Sequence, residues 1–292
     1  MTILSATIGD ALFTMFKGEP GTRKSTCALS YPTPQYWVST DQKMQALTLP
    51  AKRWGVKMSD VQYDDYTDWD GPKAKLEQLQ VNCPFRTIIV DSATSIGDNM
   101  NRQTIKSKRA EGSGKRVGNI YVPGLEEYNA EANAFGELMA ILQDIHKYHK
   151  VHVIIIAHVV GQRKDDEKNK LTHHSRVIIT GGDKISGKIA SKMTEVYHFD
   201  IKPGFAETDE GEYGLFTSHT GNDYARTSLP LERKIAFNND PLYERYIAPA
   251  IQKLNAEKPV QRIPPQPTVV TPTQPPSTTQ PLTNVKPFVS KE

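Results

Sequence analysis

The 292-residue chain has only two cysteines, Cys27 and Cys83, which excludes a disulfide framework and a four-cysteine zinc site. Long hydrophobic runs are missing too. The longest apolar stretch, VHVIIIAHVV at 151–160, has ten residues, half of the roughly 20 that span a bilayer. The opening residues MTILSATIGDALF show neither a basic start nor an extended apolar core, so no secretory leader and no membrane partner are expected, and the reading is cytoplasmic. No charge sign dominates: 36 Lys and Arg against 33 Asp and Glu leave +3, too little to argue for nucleic acid from net charge alone. Apolar residues are scarce as well, at 37% against a usual share of about 45–50% that counts Gly, so part of the chain is expected to lie outside any packed core.

That part is visible in the composition. Residues 259–292 hold nine of the 20 prolines, many Thr and Gln, and few large apolar side chains. Such a segment cannot bury enough surface to offset its ordering entropy. The chain is therefore divided into one domain over 1–256 and a disordered Pro/Thr-rich tail over 257–292, a tether or a docking segment. No repeat of fixed period is present.

Within 1–256 strand-like and helix-like patterns alternate. Strands are expected over 11–16, 35–40, 87–90, 151–157, 195–201 and 213–218, and helices over 24–30, 73–80 and 128–149. The last helix rests on Phe135, Leu138, Met139, Leu142 and Ile145 at three-four spacing. Alternation of this kind predicts an α/β fold with a mostly parallel sheet flanked by helices.

The sharpest motif is Gly18-Glu19-Pro20-Gly21-Thr22-Arg23-Lys24-Ser25-Thr26, between an expected strand and an expected helix. In that context successive backbone N–H groups and the helix start make a concave positive site for phosphate oxygens. Gly21 permits close approach of the backbone, Lys24 reaches the outer phosphates, and the Ser25 hydroxyl is placed for Mg²⁺. One residue departs from the pattern G-x-x-x-x-G-K-[ST]: Arg23 stands where Gly precedes Lys. Its Cβ is expected to crowd the loop, its guanidinium to add phosphate contacts, and hydrolysis to be slower. A second motif, Thr87-Ile88-Ile89-Val90-Asp91-Ser92, ends an apolar strand in an acid that supports Mg²⁺ through water.

Two segments concentrate basic charge. Residues 102–116 carry Arg102, Lys106, Lys108, Arg109, Lys115 and Arg116 against the single acid Glu111, with Tyr121 nearby. Residues 163–176 are mixed but include Arg163, Lys164 and Arg176. Neither shows apolar periodicity, and both are expected to be mobile loops. The adjacent His173 and His174 have no cysteine nearby and make a poor metal site.

Taken together these residues resemble the RecA-like P-loop ATPase core, and within it the phage RecA-like single-strand annealing and recombination proteins. The resemblance runs from Phe13 to about Ile201. It implies that Asp41, after Val38-Ser39-Thr40, is the carboxylate that positions the attacking water, with a pKa near ordinary. It implies that His158, after Ile154-Ile155-Ile156-Ala157, senses the γ-phosphate, and that Thr180-Gly181-Gly182 follows a second DNA-binding loop. The two basic segments fall where the family's DNA-binding loops lie. Lys184, Lys188 and Arg226 are candidates for a positive finger completing a neighbouring subunit's site. Phe16, Lys17, Tyr31 and Pro32 are candidates to border the adenine.

The function implied is an ATP- and Mg²⁺-dependent phage protein, acting in the host cytoplasm, that forms a filament or ring on single-stranded DNA and promotes annealing or strand exchange. Its tail is a candidate docking segment for a single-strand-binding protein. Two alternatives remain at this level: a replication-helicase-like motor or loader, and a nucleotide-gated DNA-binding module with little hydrolysis, which Arg23 favours.

Overall fold

An apolar strand with no polar face needs cover on both sides, and the central strands here alternate their large side chains between two cores. The structure, a computed structural model, describes residues 11–165, 171–178, 189–202, 211–220 and 223–256, with main chain alone at 161–165 and 171–177. The tail over 257–292, Lys184, Lys188 and the Thr180-Gly181-Gly182 motif lie outside the described residues.

The sheet is built on β1 (Phe13–Gly18), β2 (Gln35–Ser39), β3 (Val61–Asp65), β4 (Thr87–Asp91), β7 (His152–Asp165), β9 (Glu195–Lys202), β10 (Glu212–Phe216) and β11 (Lys234–Ala236). Their spatial order is β11-β10-β9-β1-β7-β4-β2-β3. All neighbours from β9 to β3 are parallel, and β10 and β11 close one side antiparallel. This is the expected mostly parallel sheet.

One core holds Met15, Val38, Ile88, Val90, Val153 and Ile155 with α3 (Asp70–Val81), α4 (Ala93–Ala110) and α5 (Leu125–His149). The opposite core holds Phe16, Trp37, Ile89, Ile154 and Ile156, joined by residues of α1 (Lys24–Leu29), α2 (Thr48–Trp54) and α6 (Ala248–Ala256). Successive residues of one strand thus enter different cores, as the two-residue period of a strand requires. Among the described residues no helix is long and apolar enough to cross a membrane.

In both segments expected to be mobile loops, most of the described residues are instead regular structure. Helix α4 starts directly after β4 and continues through Arg102, Lys106, Lys108 and Arg109 to Ala110. A small hairpin follows, β5 (Arg116–Val117) with β6 (Ile120–Tyr121). Periodicity missed this helix because it buries little apolar surface. Its polar side is satisfied by α5: Asn101 Nδ2 donates to Glu131 at 2.9 Å, and Lys108 pairs with Glu127 at 2.8 Å and with Glu126. The second segment is a hairpin in which β7 runs on past the sheet and pairs antiparallel with β8 (Leu171–Ile178). In that register Gly161 faces Arg176 and Lys164 faces His173. A long ladder of main-chain hydrogen bonds sets this hairpin without an apolar stripe.

Helix α5 has 25 residues and is about 37 Å long at 1.5 Å per residue, more than twice the length of a five-residue strand. Its Phe135–Ile145 part packs on the sheet. Its first turns lie beside α4, where Glu127 meets Lys108. Since α4 leaves from the carboxyl end of β4, these two helices extend beyond the carboxyl edge, the edge from which the β7–β8 hairpin also emerges.

Candidate functional site

Parallel strands leave the carboxyl edge of a sheet as the place where loops meet a ligand. The register aligns Gly18 of β1 with His158 of β7, and Ser39 of β2 with Asp91 of β4. Four sequence motifs therefore arrive side by side.

The loop between β1 and α1 has the geometry of a phosphate cradle. A Cβ on Gly18 would lie 2.5 Å from the Phe199 carbonyl oxygen, so only glycine lets β1 approach β9 here. Gly21 has φ +83° and open space around it. Arg23 is the residue before α1 and makes no side-chain cap. The first turn of the helix thus keeps its N–H groups for something outside the chain.

Lys24 is 4% exposed, and its ammonium folds back on the loop. It donates to the carbonyls of Gly18 at 2.8 Å and Glu19 at 2.7 Å, and contacts Thr22 Oγ1 at 3.3 Å. Burial pulls its pKa from 10.5 down to about 8, against the attraction of Asp91 and Asp41. A desolvated ammonium held by neutral carbonyls is stabilised by any phosphate that enters. That is the fit expected of a nucleotide site.

Ser25 Oγ donates to Asp91 Oδ2 at 2.7 Å. Burial raises the Asp91 pKa, with the Ser25 hydrogen bond opposing. One hydroxyl and one carboxylate suit Mg²⁺, which completes its shell with water and phosphate oxygens. A protein-only cage is not offered: among the described residues no group of three or more His, Cys, Asp and Glu is placed to hold a metal.

Asp41 sits in a ring of donors. Ser92 Oγ donates at 3.2 Å, Ser95 Oγ donates to the same oxygen, His158 Nε2 lies 3.4 Å from the other, and Lys43 Nζ is 3.8 Å away. Burial pushes its pKa up, but the hydrogen bonds from His158 and Ser95 and the nearby positive charges together outweigh it and hold Asp41 at about 2. The expectation of a near-ordinary pKa is corrected: this carboxylate stays ionised and is a weak base. The main chain at His158 is also held, its backbone N–H donating to Thr94 Oγ1 at 3.1 Å. Thr40 ties the strand ends together, donating to the carbonyls of Asp91 and Ser92 at 3.1 Å and accepting from the Ser92 N–H at 2.9 Å. These hydroxyls escaped the sequence reading, although the run Ser92-Ala93-Thr94-Ser95 after a strand-end acid was a usable signal.

Arg23 does not do what its position suggests. Its backbone is left-handed at φ 65°, the conformation that favours Gly. The guanidinium turns to β10 and the segment after β11: it lies 3.6 Å over the Tyr213 ring and donates to Asn238 O at 2.7 Å and Asn239 Oδ1 at 2.9 Å. Asn239 also accepts from Arg53 at 2.6 Å and Trp54 Nε1 at 2.9 Å. Arg23 therefore latches the loop to a neighbouring surface. Of the residues expected to border the adenine, Phe16, Lys17 and Tyr31 are buried at 3% exposure or less and Pro32 is partly exposed.

Of the basic residues, Arg102, Lys106, Arg109, Lys115 and Arg116 are exposed, Arg116 lying over Tyr121 at 4.2 Å. Lys108 is engaged by Glu126 and Glu127. Arg163, Lys164 and Arg176 are placed by their main chain on β7 and β8. Arg226 bridges to Val196 near the start of β9, at the amino edge, away from its own phosphate loop.

A P-loop fold on a mostly parallel sheet is thus defined by the strand order and the cradle. Residues 14–229 match the family model described as AAA domain, and the chain belongs to that family of P-loop ATPases. Among solved structures it is similar to the flagellar accessory protein FlaH from Methanocaldococcus jannaschii, with 14% identity, 79% of this chain and 86% of that chain covered, and a TM-score of 0.42. No curated protein matches the chain.

Proposed function

We propose that the protein is an ATP-dependent, single-stranded-DNA-binding recombination protein of the phage annealing type. The observation that carries this reading is continuity: the strand that bears His158 runs without a break into the β7–β8 hairpin with Arg163, Lys164 and Arg176. The strand that ends in Asp91 leads straight into α4 with its exposed Arg102, Lys106 and Arg109. In this reading a change at His158 or Asp91 is passed along continuous elements to two segments rich in basic residues. Such surfaces bind backbone phosphates without sequence preference.

In this reading Lys24 leaves the Gly18 and Glu19 carbonyls for the phosphates of ATP, and the loop N–H groups hold their oxygens. Ser25, and Asp91 through water, would hold Mg²⁺, whose charge would offset that of the phosphates. Asp41 is too acidic to take a proton early, so it orients the attacking water as a hydrogen-bond acceptor. His158, shared between Asp41 and the hairpin strand, reports occupancy. A positive finger from a neighbouring protomer completes the site within a filament or ring.

A nucleotide-gated binder with little turnover is the second reading, favoured by the Arg23 latch. The test is ATP turnover and strand annealing, each with and without single-stranded DNA, for wild type, Lys24→Ala and Arg102→Glu/Lys106→Glu/Arg109→Glu. DNA-stimulated turnover and annealing, both lost in Lys24→Ala and annealing lost in the charge-reversed variant, support the first reading. Nucleotide-dependent annealing with negligible turnover supports the second. Absence of DNA binding by wild type refutes both.

A further inference from the structure

A cavity of about 750 Å³ opens at the amino edge of the sheet, the end opposite the phosphate loop. Its charged lining comes from three separate places: Lys147 and Lys150 at the end of α5, Lys192 before β9, and Arg226; His146 also lines it, its pKa lowered by burial. No lining residue is Asp or Glu. Among the described residues, no carboxylate pairs with Lys147, Lys150, Lys192 or Arg226. Basic residues at a helix carboxyl end complement its dipole, and that accounts for the α5 residues alone. It does not account for Lys192 and Arg226, which reach the same cavity from other parts of the chain.

Arg226 adds an independent observation. Its Nη2 donates to the Ser191 carbonyl at 3.1 Å, which fixes the guanidinium at the cavity wall. Its Nε is buried and has no hydrogen-bond partner among the described residues. The residue as a whole is only partly buried, so the rest of its guanidinium is available to an anion in the cavity. The buried Glu195 accepts from Tyr197 Oη at 2.9 Å and from the hydroxyls of Thr227 and Ser228, and among the described residues it forms no ion pair with Arg226 or the cavity lysines.

We propose that this cavity is a second phosphate-binding site, independent of the phosphate loop, that takes the phosphate of a nucleotide unit, either free or within a strand. The basic rim matches the phosphate. Leu12 and Met193 supply an apolar patch, and the volume admits a base and sugar as well. The inference does not rest on the DNA-annealing reading, since neither basic surface at the carboxyl edge is involved.

The test uses the full chain carrying Lys24→Ala, which removes the phosphate loop as a competing site. Binding of dTMP and of 5′-phosphorylated (dT)12 is measured by calorimetry and fluorescence anisotropy across a salt series. Added changes are Lys147→Gln/Lys192→Gln, the same pair with Arg226→Gln, and, for the pair, a control of equal charge loss, Lys52→Gln/Lys253→Gln. The Lys147/Lys192 pair is solvent-exposed, so the proposal stays testable if the Arg226 variant fails to fold. The pair is expected to weaken binding about tenfold and to flatten the salt dependence, with the control within about twofold of its parent. Loss for both ligands identifies a free-nucleotide site, and loss for the oligonucleotide alone a strand site. Equal effects of pair and control, or no binding of either ligand by the parent, overturn the proposal.

Discussion

Replacing Arg23 by Gly and by Ala separates two opposing contributions at one position. The left-handed backbone at φ 65° costs a residue with a Cβ about 1 kcal/mol, which Gly recovers. Against that, either substitution removes the guanidinium stacked 3.6 Å over Tyr213, worth about 0.5–1 kcal/mol at an exposed site. Both also remove the hydrogen bonds to Asn238 and Asn239, together about 1 kcal/mol at partly solvated positions. Arg23→Gly is thus expected to lose about 1 kcal/mol and Arg23→Ala about 2, an order of wild type, Gly, Ala. For a domain of this size each step is about 2–4 °C in thermal midpoint, within reach of calorimetry. A double-mutant cycle with Tyr213→Leu isolates the stacking, with an expected coupling of about 0.5–1 kcal/mol. Arg23→Ala at least as stable as Arg23→Gly would refute the left-handed assignment. Arg23→Gly more stable than wild type would refute the latch.

Other expectations follow from the same site. Lys24 has a folded pKa of about 8, below its ordinary 10.5, so between these values the unfolded chain holds a proton that the folded chain has lost. Stability should therefore rise with pH across that window, and Lys24→Met should abolish the rise in denaturant titrations at pH 7.5 and 9.5. Nucleotide affinity should fall as pH climbs past about 8, because binding then requires proton uptake by Lys24; equal affinity at both pH values would exclude Lys24 as the phosphate ligand. Asp41, held at about 2 against an ordinary 3.8, contributes stability that is fully present above pH about 4 and lost as pH falls toward 2. Asp41→Asn should keep nucleotide binding and lose about 10²-fold in turnover, measured by phosphate release; unchanged turnover excludes it as the residue orienting water. Gly18→Ala forces a Cβ against the Phe199 carbonyl and should cost about 1–3 kcal/mol in denaturant unfolding; a neutral result would mean β1 and β9 are less closely apposed than described.

Local pattern was enough to read most of the sheet and the site's address. Apolar runs such as Ile88–Val90 and Val153–Ala157 have no polar face, which requires buried parallel strands, and Gly18–Thr26 needs only its own residues to define a phosphate loop. The helix over 128–149 was legible because its apolar residues repeat at helical spacing, and it begins only slightly earlier, at Leu125. Edge strand β3, VQYDD, was not legible: only Val61 is buried, because an edge strand with one covered neighbour tolerates polar residues throughout.

What the tertiary structure decided is partnership. Helix α4 is a helix because carboxylates about 20 or 30 residues later, Glu126, Glu127 and Glu131, satisfy its polar side. The depressed pKa of Asp41 comes from Ser95 and His158, 54 and 117 residues away, and the latch on Arg23 from asparagines more than 200 residues away. Composition and spacing fix what a segment can bury against its own period. Desolvation, hydrogen-bond satisfaction and charge coupling depend on which distant groups share a few ångströms, and those are properties of the folded chain alone.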